Sequence, residues 1–130
     1  MINWVGLGIT TIVAFFFGML WYGPFFGKKW MKLANVSNKD MKKEDMPKTM
    51  ILGFISNFAM VYVTNFFVTN VSVGLNSALL VGFLLWLGYI ATTALSRVLW
   101  EKSSWNLYLL NASYYLVLLL VTSGLLYALN

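Results

Sequence analysis

The sequence contains no cysteine and no histidine. Disulfides, thiolate or imidazole metal ligands, axial haem ligation by either residue, cysteine nucleophiles and the Ser-His-Asp class of catalysis are therefore excluded. Acids are scarce as well: there are 4, and Asp40, Glu44, Asp45 and Glu101 all lie outside the long apolar runs. No ionisable acid or base falls near the middle of any such run, which argues against proton relays and voltage sensors, both of which depend on intramembrane charge. Charged residues make up only 10% of the chain and hydrophobic ones 60%, whereas soluble proteins carry about 25% charge. With a mean hydropathy of +0.75, the composition argues against a soluble enzyme, a nucleic-acid binder or a disordered tail, despite the net charge of +5.

What is present is hydrocarbon in helix-length runs. A bilayer core of about 30 Å needs roughly 20 apolar residues in a helix. Four segments satisfy this without an internal Asp, Glu or Lys: residues 2–22, 49–69, 76–99 and 106–128. Transmembrane β-strands would show alternating segments of about ten residues, which are not found here. The expected fold is an all-α integral membrane protein, a single membrane domain over 1–130 with a short amphipathic or helical segment at 23–48.

Charge sets the expected orientation. Lys28, Lys29, Lys32, Lys39, Lys42, Lys43 and Lys48 lie between the first two spans, and Arg97 and Lys102 flank the connection between the last two. The opposite face, with residues 71–75 and both termini, has no charged side chain. The positive-inside rule predicts both basic connections in the cytoplasm and both termini outside, in the inner (plasma) membrane. The first span lacks a basic leader and an A-x-A cleavage site, so it is expected to remain as a permanent helix. Three Asn-x-Ser strings, at Asn35, Asn70 and Asn111, carry no weight as glycosylation signals, since Asn111 lies within a span.

Segment 23–48 divides in two. Phe26, Trp30 and Leu33 recur at i, i+4, i+7, with Lys28, Lys29 and Lys32 turned away. That spacing predicts a helix in the headgroup zone whose lysines meet anionic lipid, or else a basic connector without lipid specificity. Further on, Ser37 with Asp40 predicts a helix cap, and Val36 with Met41 a hydrophobic staple. Asp40, Glu44 and Asp45 are too closely mixed with Lys39, Lys42 and Lys43 to favour a divalent ion; no metal site and no cofactor is expected. Pro47 fits the first turn of the second span.

Neutral polar residues remain within the spans. At 1.5 Å rise per residue, Asn57 lies roughly 12 Å from the cytoplasmic end, Thr93 roughly 9 Å, Asn111 roughly 8 Å and Tyr115 roughly 14 Å. Helical spacing groups Gly53, Asn57, Met60 and Thr64 on the second span, Gly82, Trp86, Tyr89 and Thr93 on the third, with Thr92 beside them, and Asn111, Tyr115, Leu118 and Thr122 on the fourth. Such a layer serves either as interhelical glue or as the lining of a cytoplasm-facing cavity. Trp86 falls near the midplane, where its indole N–H needs a partner, so it should face another helix. Arg97 is expected to snorkel and pair with Glu101 at i+4, or to hold a phosphate-bearing lipid or substrate. Ala14 and Gly18 are spaced for close packing, and Trp4 and Tyr127 suit one aromatic belt, Trp21, Tyr22, Trp100, Trp105 and Tyr108 the other. Four helices of this length have little interior, which favours homo-oligomerisation.

The strings Asn3-Trp4, Gly18-Met-Leu-Trp21-Tyr22-Gly-Pro24, Phe26-Gly27-Lys28 with Trp30, Gly82-Phe-Leu-Leu-Trp86-Leu-Gly88-Tyr-Ile-Ala-Thr92-Thr93 and Asn111-Ala-Ser-Tyr114 resemble the bacterial membrane proteins grouped as domain of unknown function 1761. The resemblance covers essentially the whole chain and implies a small four-span membrane protein with no established activity. It singles out Trp21, Tyr22, Trp86, Thr92, Thr93 and Asn111. Members of that family often carry a His or another polar residue after the last tyrosine, where this chain has Tyr115.

Together these features predict a non-enzymatic, oligomeric inner-membrane protein with a pocket or pathway for a small solute, ion or lipid, lined by Asn57, Trp86, Tyr89, Thr92, Thr93, Asn111 and Tyr115. The competing expectation is an interaction module whose Lys28, Lys29, Lys32 and Arg97 engage anionic headgroups or a partner protein. No catalytic residue and no nucleic acid enters either; an enzyme would have to use Glu101 and the other acids at the headgroup surface.

Overall fold

The computed structural model describes residues 2–36 and 46–130. Its elements are α1 (Trp4–Leu20), a π-helical turn (Trp21–Phe25), α2 (Gly27–Ala34), α3 (Met46–Val71), α4 (Leu75–Leu85), a second π-helical turn (Trp86–Ala91), α5 (Thr92–Leu99) and α6 (Trp105–Leu129). Four continuous helices are long and apolar enough to cross a membrane: Trp4–Phe25, Met46–Val71, Leu75–Leu99 and Trp105–Leu129. Each overlaps a run expected from composition.

Side-chain caps fix several helix ends. Asn3 accepts the Gly6 N–H at 3.0 Å, so α1 begins one residue later, and Ser104 accepts the Leu107 N–H at 3.1 Å to start α6. Pro47 is the second residue of α3, within the first turn where its missing N–H is harmless. Between α3 and α4 the chain reverses tightly, with the Ser77 hydroxyl accepting from Val73 and Gly74 N–H and donating to the Gly74 carbonyl. The Asn3 amide also donates to the Leu129 carbonyl at 2.8 Å, which ties the two chain ends together at the uncharged end of the bundle.

α6 is the central helix, packed against α1, α3, α4, α5 and α2. α1 lies along α3, and α4 along α6. The core runs through Leu7, Ala14, Val61, Val68, Ala78, Leu118 and Leu126, concentrated towards the uncharged end. Outward faces carry Val5, Ile51, Leu80 and Leu109, all exposed. An apolar exterior around a close-packed interior suits hydrocarbon on the outside.

Buried threonines in this closed half do not bridge helices. Thr10, Thr11 and Thr64 donate to the carbonyls of Gly6, Leu7 and Met60, each four residues back, and Thr122 to Leu119, three back. Their hydroxyls are satisfied within their own helices, so what they contribute between helices is small size and close approach.

Candidate functional site

At the basic end the packing opens. The contacts between the second and third spans are concentrated on α4; beyond Trp86, the π turn and α5 continue along α6 and make no comparable contact with α3. The result is a cleft of about 800 Å³ whose back wall is α6 and whose sides are α3, the π turn with α5, and α2. That volume falls within the range of roughly 300–1,000 Å³ occupied by small-molecule sites.

The roof of the cleft is set by the first π turn. Pro24 cannot donate a ladder bond, and the chain closes instead through Phe26 N–H to the Trp21 carbonyl at 2.8 Å, five residues back. α2 then folds back onto α6. Aromatic rings hold it there: Trp21 and Phe26 lie 4.7 Å apart between centroids, Tyr22 and Tyr114 4.9 Å, and Tyr22 meets the edge of Trp30 at 5.5 Å. Gly27 is buried directly against the Tyr22 carbonyl. Lys28, Lys29 and Lys32 point outward and Trp30 and Leu33 are half-buried, the amphipathic division that the spacing predicts.

Three hydrogen bonds between helices converge on α6 around the cleft. The Tyr22 hydroxyl donates to Asn111 Oδ1 at 2.6 Å, the Trp86 indole N–H to the Ala112 carbonyl at 2.8 Å, and the Tyr108 hydroxyl to the Ala91 carbonyl at 3.0 Å. Each anchors a π turn to the central helix. Trp86 thus faces another helix, and its indole is a tie and not a cleft-lining group.

Of the residues singled out from sequence, Thr93, Asn111, Tyr115 and Arg97 line the cleft. Asn57, Trp86, Tyr89 and Thr92 do not. The Asn57 amide turns back to the Gly53 carbonyl at 3.1 Å, and α3 contributes Ser56 and Met60 to the cleft instead. Tyr89 is 72% exposed on the outer face. Thr92 is exposed and bonded to the Gly88 carbonyl. The cause is the π turn: its wider coil takes an extra residue, so the inward stripe Ala78, Val81, Gly82, Leu85 resumes at Ile90, Thr93, Ala94, Arg97 and not at Tyr89.

Arg97 is exposed to the cleft and forms no ion pair with Glu101, whose contact with it is a backbone N–H to the Arg97 carbonyl at 3.1 Å. Among the described residues no acid lines the cleft and no cluster of metal-ligating side chains occurs. The cap at Ser37, the staple to Met41 and the acids Asp40, Glu44 and Asp45 lie outside the described residues.

Tyr22, Trp30 and Tyr108 are cleft residues that sequence reasoning assigned to motif or interface roles. A signal for one existed: Tyr108, Asn111, Ala112 and Tyr115 follow i, i+3, i+4, i+7 on α6.

The family model described as "Protein of unknown function (DUF1761)" matches residues 5–127. The chain belongs to this DUF1761 family. The match takes in all but the outermost residues of the four apolar helices, both π turns and every residue of the cleft. No curated protein and no solved structure matches the chain. Membership of DUF1761 therefore fixes kinship, and the reading of the site rests on its geometry.

Proposed function

We propose that the protein is a non-enzymatic, multi-pass protein of the bacterial inner membrane that binds a small polar or amphiphilic ligand in the cleft at its basic end. The positive-inside rule puts this end in the cytoplasm. The observation that carries the reading is the convergence of Thr93 and Arg97 from α5 with Asn111 and Tyr115 from α6 on one cleft at the basic end. Thr93 bonds back to its own span, as Thr10, Thr11 and Thr64 do, whereas Asn111 accepts from another segment and the Arg97 and Tyr115 side chains have no hydrogen-bond partner among the described residues.

Native mass spectrometry of protein released from nanodiscs of total bacterial lipid tests this reading. The protein is expected to retain one small molecule or lipid per chain. Asn111→Leu removes both the amide and the Tyr22 acceptor and should lose the bound mass while keeping its helicity; Thr93→Val is the milder companion. An unchanged bound mass in both variants would refute the binding site. Loss of folded structure in Asn111→Leu, with Thr93→Val silent, would return the polar layer to packing.

A second copy of the chain against the third span belongs to the same proposal. Tyr89 stands ten residues from the end of α5, about 15 Å from the basic end, where a phenol facing hydrocarbon is costly. Gly88 and Thr92 beside it are exposed and small enough for close helix approach. Because the chain lacks cysteine, single-cysteine variants cross-link cleanly. Tyr89→Cys should give a disulfide-linked dimer in membranes, and Val63→Cys, equally outward on α3, should not; equal cross-linking at both would count against this interface.

The exposed lysines of α2 favour one alternative, in which Lys28, Lys29 and Lys32 engage anionic lipids or a partner protein and the cleft is incidental.

A further inference from the structure

The hydrogen-bond inventory of the cleft is one-sided. Asn111 Oδ1 is taken by the Tyr22 hydroxyl, so the amide group left facing the cleft is its NH₂, which has no acceptor among the described residues. Thr93 donates to the Tyr89 carbonyl of its own helix, and Tyr108 to Ala91. Among the described residues, the Arg97 guanidinium, the Asn111 amide and the Tyr115 hydroxyl have no partner, and neither do the Trp30 indole and the Ser56 and Ser103 hydroxyls. No carboxylate among the described residues lines the cleft to receive them.

Donors of this kind select an anion, since a guanidinium pairs with carboxylate or phosphate through short, charge-assisted bonds. Their depth fits a headgroup: Arg97 lies two residues from the end of α5, about 3 Å below it, and Asn111 six residues into α6, about 9 Å down. Met60, Ile90, Ala94, Val98 and Leu107 give the walls an apolar part. α5 makes no substantial contact with α3, so these two sides of the cleft are not packed on each other.

We propose that the cleft seats an anionic amphiphile that enters laterally from the bilayer between α3 and α5, its acidic head on Arg97 and the Asn111 amide and its hydrocarbon chain in the gap between the two helices. This rests on the cleft being a binding site, and it adds the ligand's charge, its tail and its route. A soluble phosphate or carboxylate shares the head chemistry but would leave the apolar part of the walls and the unpacked sides of α3 and α5 without a role.

The test uses the full-length protein, delipidated in neutral detergent and titrated separately with phosphatidic acid, phosphatidylcholine and glycerol 3-phosphate, with one-to-one adducts read by native mass spectrometry. Phosphatidic acid should bind at one per chain and phosphatidylcholine more weakly. Arg97→Gln, at an exposed position that does not threaten folding, should weaken phosphatidic acid by roughly ten- to a hundredfold, the loss of one charge-assisted bond. Arg97→Lys should restore part of it. The triple variant Lys28→Gln, Lys29→Gln, Lys32→Gln separates the cleft from the surface of α2 and should change binding little.

Phosphatidic acid binding that survives Arg97→Gln, or that disappears with the three lysines, overturns the proposal in favour of surface attraction. Competition by glycerol 3-phosphate at comparable concentration overturns lateral entry and leaves a soluble anion as the ligand. Phosphatidylcholine bound as tightly as phosphatidic acid, and lost in Asn111→Leu, overturns the anionic head while the binding site itself stands. Adducts indifferent to both Asn111→Leu and Arg97→Gln remove the site and this proposal together.

Discussion

Replacing Gly82 by valine is expected to be the most damaging single substitution in the bundle. α4 approaches α6 so closely at this point that a Cβ on Gly82 would lie 2.7 Å from the Leu119 carbonyl oxygen and 2.5 Å from Ser123 Oγ. A serine hydroxyl can rotate aside, but a backbone carbonyl in the middle of α6 cannot without breaking its own helix. The helices must separate, and the close packing of Ala78, Val81 and Leu118 separates with them. Overpacking of this kind costs about 1–3 kcal/mol, and valine at a backbone contact belongs at the upper end. Gly8→Val is the matched control, because a Cβ there meets nothing within 4 Å. Unfolding equilibria in bicelles should show Gly82→Val strongly destabilised and Gly8→Val near wild type. Equal losses would assign the effect to helix propensity and not to the α4–α6 approach.

The same glycine marks where sequence reading works and where it stops. The four spans are legible because membrane length and the exclusion of charge act on composition alone; α1 starts two residues later than the expected run, and α3 and α6 start three and one residues earlier. The amphipathic α2 is legible for the same reason: Phe26, Trp30 and Leu33 against Lys28, Lys29 and Lys32 is a pattern of period, and period survives folding. Half of the candidate site is not recoverable in this way. Asn111, Tyr115, Thr93 and Arg97 fall on the cleft as their depth suggests, but Tyr89 and Thr92 were placed by a constant 3.6-residue repeat that the π turn at Trp86–Ala91 breaks. That stretch lacks the proline that sits in the first π turn. Asn57 failed for a different reason: an amide in hydrocarbon has a carbonyl four residues back always within reach, and periodicity does not tell whether it turns to its own helix or to a neighbour.

One feature of the sequence gains meaning from the fold. Gly18 with Trp21 and Gly82 with Trp86 are similar pairs, each on the first helix of a hairpin. Both tryptophans begin a π turn, and both turns have glycine two residues on, at Gly23 and Gly88. Each turn is tied to α6 by a hydrogen bond, Tyr22 to Asn111 in one case and Trp86 to Ala112 in the other. Each turn contributes one residue to the cleft wall, Tyr22 and Ile90. The Gly-Trp pairs thus mark the two turns that border the cleft.

That geometry makes Gly27 the residue on which the shape of the cleft depends most. A Cβ at Gly27 would sit 2.7 Å from the Tyr22 carbonyl oxygen and 3.2 Å from its carbon, both backbone atoms of the preceding π turn. Gly27→Ala therefore forces α2 to swing away from the turn or the Tyr22 peptide to shift. Either movement strains the 2.6 Å bond from Tyr22 to Asn111 and the edge contact of Tyr22 with Trp30, so two cleft walls move together. The transmembrane core, which Gly27 does not touch, should keep its stability. The expected signature is local: tryptic cleavage after Lys28 and Lys29 should accelerate about tenfold if the clash costs ~1.4 kcal/mol of α2 docking, because cleavage tracks the open population. Cleavage after Lys102, resolved by mass, should hold its wild-type rate. The bound molecule expected in native spectra should be lost in parallel. Unchanged cleavage with retained binding would show that the π turn absorbs the methyl group, and that α2 is held by its aromatic contacts with Tyr22 and Tyr114 and not by the close approach at Gly27.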